Sequence, residues 1–183
     1  MSPSTTLSPF TGTYSIDPVH SSVGFAVRHM GVSTFRGSFA QLDGSLAVMD
    51  DGALKLTGTA EARSISIVSP IEFHNHVLGE DFFDVERHPA IVFESDPAHP
   101  SDDGTITVEG RLTIRNVTHP LLATGTWSAP VEDPYGNQRA AIELTATVDR
   151  RDYGMTWNAS LPKGGDALGT DVTLTVHLEL VGD

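Results

Sequence analysis

Apolar residues recur at every second position over most of the chain, the period of half-buried strands. In segment 22–29, Val23, Phe25, Val27 and His29 share one face, and Ser22, Gly24, Ala26 and Arg28 the other. A short strand at 14–17 precedes it, and a turn at Met30-Gly31 follows. Phe35, Gly37 and Phe39 then alternate, and Leu42, Gly44, Leu46 and Val48 continue the run after a parity change near Ala40, which signals a bulge or bend. Asp51-Gly52 is hairpin chemistry, and Leu54, Leu56, Gly58 and Ala60 run back from it. Segment 90–95 is strand-like, Asp102-Asp103-Gly104 turns, and Ile106, Val108, Gly110, Leu112 and Ile114 alternate. His119-Pro120 reads as a break before Leu121, Ala123, Gly125 and Trp127. After a turn at 133–137, the inner set is Ile142, Leu144, Ala146 and Val148, and the last strand contributes Val172, Leu174, Val176, Leu178 and Leu180. Roughly eight or nine strands with regular turns predict an all-β, antiparallel barrel or sandwich. Glycines inside strands, such as Gly37, Gly58, Gly110 and Gly125, favour the barrel, because they relieve curvature or leave room inside.

The alternation stops between Arg63 and Glu94. Ser69-Pro70-Ile71-Glu72 has the form of a capping box, with Ser69 as N-cap and Pro70 at the first helical position. Ile71, Asn75, Leu78 and Phe82 follow at helical spacing with Val77 beside them, and Gly79 offers a stop. One helical insertion over about residues 70–86 is therefore expected. Four of the eight phenylalanines, Phe73, Phe82, Phe83 and Phe93, crowd this region, as befits a helical cover over a barrel's side or mouth.

The 183 residues show no break in composition and read as one domain over 13–183, preceded by a Ser-, Thr- and Pro-rich tail over 1–12 that is expected to be disordered. With 39% hydrophobic and 19% charged residues the chain is of ordinary globular type. No run approaches the length of a membrane helix, and the first residues lack the basic start and apolar core of a signal peptide, so the expectation is a cytoplasmic protein. Zero cysteines exclude disulfides, thiolate zinc sites and cysteine nucleophiles. A formal charge of −13 argues against a nucleic-acid partner.

The search for reactive groups yields no catalytic set. His74-Asn75-His76, with His88 and nearby acids, is the densest histidine cluster. Helical positions two apart diverge by about 200°, so no metal site is expected; one histidine should be hydrogen-bonded at the barrel rim and the other face water. Nucleophile-elbow, phosphate-loop and dinucleotide motifs are absent. Asp17, His20 and Ser21 are adjacent in sequence and read as a turn that hydrogen-bonds a neighbouring loop. An enzyme reading would need His29, His74 or His119 with a carboxylate in the barrel cavity. Arg150-Arg151-Asp152-Tyr153 is either a charged gate for an anionic head group or a local pairing of one arginine with Asp149 or Asp152. The long, glycine-containing loop that follows, over 150–170, has the length of a lid. An eight-stranded barrel can hold one small ligand or be filled by its own side chains, and spacing leaves both open.

Taken together, several motifs resemble the YceI-like family. They are Tyr14-Ser15-Ile16-Asp17-Pro18-Val19-His20-Ser21, Phe25-x-Val27-x-His29, Phe35-x-Gly37-x-Phe39, Asp81-Phe82-Phe83-Asp84 leading to His88-Pro89 and Phe93, Gly110-x-Leu112-Thr113-Ile114 and Arg151-Asp152-Tyr153-Gly154. The resemblance implies a lipocalin-like antiparallel β-barrel of about eight strands. It also implies that the apolar interior binds a polyisoprenoid chain, such as an isoprenoid quinone or polyprenyl lipid, for storage, transport or sequestration. No catalytic residue comes with it, and a homodimer is the implied assembly. Many members carry a secretion signal, from which the start of this chain departs. Predicted apolar faces nominate Val23, Phe25, Val27, Phe39, Leu112, Ile114, Trp127, Ile142, Leu174 and Val176 as ligand-lining residues. The helical cover adds Ile71, Leu78 and Phe82, and the long loop adds Trp157.

Overall fold

The structure is a computed structural model and describes residues 8–183. Ten strands realise the alternation: β1 Thr13–Ile16, β2 Ser22–His29, β3 Ser33–Phe39, β4 Leu42–Val48, β5 Leu54–Glu61, β6 Ala90–Ser95, β7 Thr105–Ile114, β8 Val117–Glu132, β9 Gln138–Asp149 and β10 Leu168–Gly182. All neighbours are antiparallel, and hydrogen bonding runs β1-β4-β5-β6-β7-β8-β9-β10 and back to β1. That circuit closes eight strands into a barrel, which removes the edges of the circuit itself.

Strands β2 and β3 extend the wall at one end. The long β10 pairs with β1 through Leu180 and with β2 from Leu168 to His177, so β1 and β2 act as two halves of one interrupted strand. The same holds for β3 and β4 across Ala40 and Gln41, where the parity change lies. There Ala40 N donates to Ser64 O at 3.1 Å, and Ser66 N donates to Ser38 O at 2.8 Å, which ties the free side of β3 to the segment after β5.

Close approach favours glycine at several wall positions, of which Gly125 and Gly37 contrast. A Cβ on Gly125 would lie 1.8 Å from Glu143 O, and one on Gly37 would lie 2.3 Å from the Phe25 ring, which covers Gly37 from the facing strand. One apolar core fills the end where Phe10, Tyr14, Leu46, Ile142 and Leu180 are buried. The opposite end is covered by the helix α1, Ile71–Leu78, and by the loop between β9 and β10.

Three local expectations are corrected. The helix has Pro70 as its N-cap with no side-chain cap bond, so Ser69 lies one residue too early and Glu72 one too early to close a capping box. His119-Pro120 does not break the chain, because β8 runs through it. Pro120 sits opposite Arg111 in a stretch where the β9 ladder has not begun, and its missing N–H is tolerated there. The actual turn is Arg115-Asn116, both left-handed at φ 53° and 58°, the two-residue geometry of a tight hairpin. Of the expected tail, residues 1–7 lie outside the described residues, whereas Phe10 is 1% exposed and packs its ring against Tyr14 and Trp127. Barrel packing thus begins before Thr13.

Candidate functional site

A cavity of about 610 Å³ occupies the barrel between the Phe10 core and α1. Inward positions of strands around the barrel line it, with Phe25, Phe35, Phe39 and Phe93 among the side chains, because alternation sends one residue in two inside, and Phe83 joins them from the segment after α1. Most of its polar groups, His29, Ser33, Thr34, His76, Arg150 and Tyr153, gather at the end beneath α1 and the β9–β10 loop, while Asp43, Thr57 and Thr59 border it from β4 and β5.

Ten of the fourteen nominated residues border this cavity: Val23, Phe25, Val27, Phe39, Phe82, Leu112, Ile114, Trp157, Leu174 and Val176. Four do not. Trp127 and Ile142 face inward but lie opposite each other below the cavity floor; Ile142 is fully buried, and Trp127 packs on Phe10 while its Nε1 donates to Ser101 O at 2.9 Å. Leu78 is buried with Val85 in the packing behind the wall, and Ile71 is 57% exposed on the outer side of α1. Phe35, Phe73, Phe93, Leu144, Ala146 and Met155 were not nominated and do border the cavity. Leu144 and Ala146 carried the inward signal of β9; the position of Phe73 depends on how α1 is laid across the barrel.

Three rings meet at the mouth. His76 lies edge-to-face on Phe82 and on Trp157, with centroids 5.1 and 4.9 Å away, and Phe82 and Trp157 are 5.6 Å apart. His76 Nε2 is 3.0 Å from Asp81 Oδ2. His74, by contrast, donates from Nδ1 to Ile67 O at 2.5 Å, which divides the two histidines as their helical spacing requires. The rim histidine is half-buried His76, however, and neither side chain simply faces water.

Arg150 anchors the loop that carries Trp157. It is 3% exposed, and its guanidinium donates to four main-chain carbonyls: Gly169 O at 2.8 Å, Met155 O at 2.6 Å, Trp157 O at 2.8 Å and Leu168 O at 3.3 Å. Burial lowers its pKa, an effect the charge of Asp149 opposes. Arg151 instead pairs with Asp149 at 2.5 Å, which holds that carboxyl down at about 2. Neither arginine is free to act as a charged gate. Tyr153 is buried beside them, and burial, with the charge of Asp152, pushes its phenol up to about 12.

No triad forms at Asp17, His20 and Ser21. His20 Nδ1 meets Asp17 at 2.8 Å, but Ser21 Oγ bonds the main chain of Glu179. Asp17, His20 and Glu179 are the one group of metal-competent side chains close together among the described residues, and Arg139 already occupies both carboxylates, at 2.9 and 2.7 Å. Of the histidines proposed as acid or base, His74 and His119 bond main-chain oxygens, and none of His29, His74 and His119 meets a carboxylate among the described residues.

A family model described as the YceI-like domain matches residues 14–180, which is almost the whole barrel. The chain belongs to the YceI-like family. Among relatives, a UPF0312 protein of Staphylococcus aureus (strain N315) is 30% identical over 169 residues, covering 91% of this chain and 95% of that one. A UPF0312 protein of Ectopseudomonas mendocina is 31% identical over 147 residues, covering 78% and 76%. The barrel of this YceI-like protein resembles the crystal structure of Burkholderia cenocepacia BcnA, with a TM-score of 0.72 at 18% identity over 90% of this chain and 98% of that one. It also resembles a polyisoprenoid binding domain from Saccharophagus degradans, with a TM-score of 0.64 at 14% identity, covering 93% and 98%. At these identities the likeness is one of fold. Among the described residues no helix is long and apolar enough to cross a membrane.

Proposed function

We propose that the protein binds one polyisoprenoid chain, carried by an isoprenoid quinone or polyprenyl lipid, inside the barrel. The observation that carries this reading is the cavity itself: about 610 Å³, walled mainly by aliphatic and aromatic side chains, with most of its polar groups at the end beneath α1. Ligand sites generally span roughly 300–1,000 Å³. An apolar chain would lie along Phe25, Val27, Leu112, Leu174 and Val176, leaving its head group near His29, Thr34 and His76. That the Saccharophagus degradans neighbour is a polyisoprenoid binding domain supports the choice of ligand class.

Each buried methylene is worth about 0.8 kcal/mol, so a five-carbon isoprene unit offers roughly 3 kcal/mol before ordering costs. Several units would approach the ceiling of about 18–21 kcal/mol for non-covalent binding, so ordering of the chain must offset much of the gain. Affinity should therefore rise with chain length until the cavity is full. Titration with farnesol, geranylgeraniol and longer prenyl alcohols tests this, and an affinity independent of length would reject it.

The reading is of a carrier or store rather than a catalyst. A homodimer, implied by the family resemblance, belongs to the same proposal, and light scattering on the purified chain tests it.

A further inference from the structure

Charge is distributed unevenly along the barrel axis. The segments at the α1 end of the cavity, 28–36, 61–90, 113–119 and 149–171, hold eight of the eleven Lys and Arg residues but ten of the 24 Asp and Glu, a formal −2; the rest of the chain carries the remaining −11. At that end the β2–β3 hairpin is distinctive, because no acidic residue occurs between Asp17 and Asp43. Arg28 and Arg36 project from it and meet no carboxylate among the described residues; Arg28 donates to Thr34 Oγ1 and Gly31 O, and Arg36 to Thr34 O. Met30 N donates to Ala167 O at 2.7 Å, which joins the hairpin to the loop bearing exposed Lys163. Elsewhere Lys55, Arg63, Arg87, Arg111, Arg139 and Arg151 are each paired with a carboxylate.

The same rim exposes apolar side chains. Val32, at the hairpin tip, is 75% exposed with Met30 beside it, and Ile71 and Phe73 are exposed at the start of α1. The two elements meet where Phe73 packs 6.1 Å from Phe35, and both of these rings border the cavity. Exposed Val19, Val131 and Tyr135 have a different setting, close in sequence to Asp17, Glu132 and Asp133. Among the described residues, only the rim combines exposed apolar tips, unpaired cations and continuity with the cavity.

We propose that the β2–β3 hairpin and the start of α1 form a docking surface for an anionic lipid bilayer. Val32, Met30 and Ile71 enter the headgroup layer, while Arg28, Arg36 and Lys163 meet lipid phosphates. The acidic body of the barrel is repelled from the same surface and stays in water, which sets the orientation. An apolar chain then passes from bilayer to cavity across Phe35 and Phe73 without entering water, avoiding a cost that grows with every methylene. This last step rests on the proposal that the ligand is an apolar chain; the docking surface itself does not.

The test is flotation of the full chain with phosphatidylcholine vesicles, with and without phosphatidylglycerol, beside a titration with soluble farnesol. The wild type should float with the anionic vesicles and be released by salt. Each basic side chain at an anionic surface is worth about a factor of five, so the triple variant Arg28→Gln, Arg36→Gln, Lys163→Gln should partition on the order of a hundredfold less. Val32→Ser with Ile71→Ser should also weaken binding, and both variants should take up farnesol like the wild type, since none of these residues borders the cavity. A wild type that does not float, or a triple variant that floats equally well, overturns the proposal. So does light scattering in which Val32→Ser with Ile71→Ser turns dimers into monomers, since that assigns the face to a second copy. Vesicle binding without farnesol uptake would reject the ligand reading and leave the docking surface standing; farnesol uptake without vesicle binding would do the reverse.

Discussion

Trp157 packs edge-to-face on His76 with ring centroids 4.9 Å apart, and both rings border the cavity. The contact joins two elements distant in sequence, α1 and the β9–β10 loop, directly over the opening. Each partner is fixed from its own side. His76 meets Asp81 at 3.0 Å, and the main-chain carbonyl of Trp157 accepts from Arg150 at 2.8 Å. The mouth is thus closed by side-chain rings mounted on a polar frame.

Ligand entry should be reported by Trp157 and not by Trp127, which lies below the cavity floor. Titration with a prenyl quinone should change tryptophan emission in the wild type and in Trp127→Phe, and leave Trp157→Phe unchanged. Trp157→Ala removes two ring contacts worth about 0.5–1.5 kcal/mol each and should speed ligand release by about tenfold. Stopped-flow displacement measures that rate.

Arg150 is expected to hold the loop more than to hold ligand. Arg150→Met strands four carbonyls, each costing roughly 1–3 kcal/mol when left unpaired and buried. Hydrogen exchange should accelerate over 154–168 while the barrel strands stay protected. Uniform loss of protection across the barrel would show that Arg150 supports the whole fold.

The barrel and much of the cavity wall were legible because alternation fixes which face of a strand points inward. Phe25, Val27, Leu112 and Val176 were found that way. Alternation carries no information about depth, which is why Trp127 and Ile142, correctly inward, lie beneath the cavity. Phe10 gave no periodic signal, yet it is buried in the core beneath the cavity, since a single buried ring needs no strand around it. The face of α1 was harder still. Helical spacing grouped Ile71 with Leu78, but the barrel beneath decides which side meets the cavity, and Phe73, His76 and Val77 border it. The Arg115-Asn116 turn was hidden because it uses no glycine, and Pro120 was read as a break because its partly unpaired strand neighbourhood is a tertiary property.

Arg139 should make stability depend on pH. It joins Asp17, Asp133 and Glu179 around the β8–β9 turn, and its hydrogen bonds hold Asp133 well below the ordinary 3.8; Asp17 is lowered first by His20 and then by Arg139. A depressed carboxyl stabilises the fold fully above its ordinary pKa, and the contribution is lost as pH falls through the folded value. The gap in urea midpoint between wild type and Arg139→Met should therefore be widest near neutrality and narrow below 3.8. His20, raised above 6.5 first by its bond to Asp17, has the opposite sense; its contribution is full below 6.5 and fades as pH rises past the raised value. A midpoint gap that stays constant down to strong acid would contradict this assignment.

Two glycine substitutions should separate wall from cavity. Gly125→Ala drives a Cβ into the Glu143 carbonyl and should cost about 3 kcal/mol or more of stability in urea unfolding, because backbone must move. Gly37→Ala meets only the Phe25 ring, which can swing inward, so stability should fall by about 1 kcal/mol while capacity for a long chain falls further. Equal losses in both readouts for both variants would reject the distinction.

The central claim is most directly tested by extracting the purified protein with organic solvent and identifying what it holds by mass spectrometry, with Val27→Asp as the control. The wild type should release an isoprenoid lipid in an amount approaching one per barrel, and folded Val27→Asp should release almost none. Repeated absence of lipid from the wild type, together with no uptake of added prenyl quinone, would contradict the account.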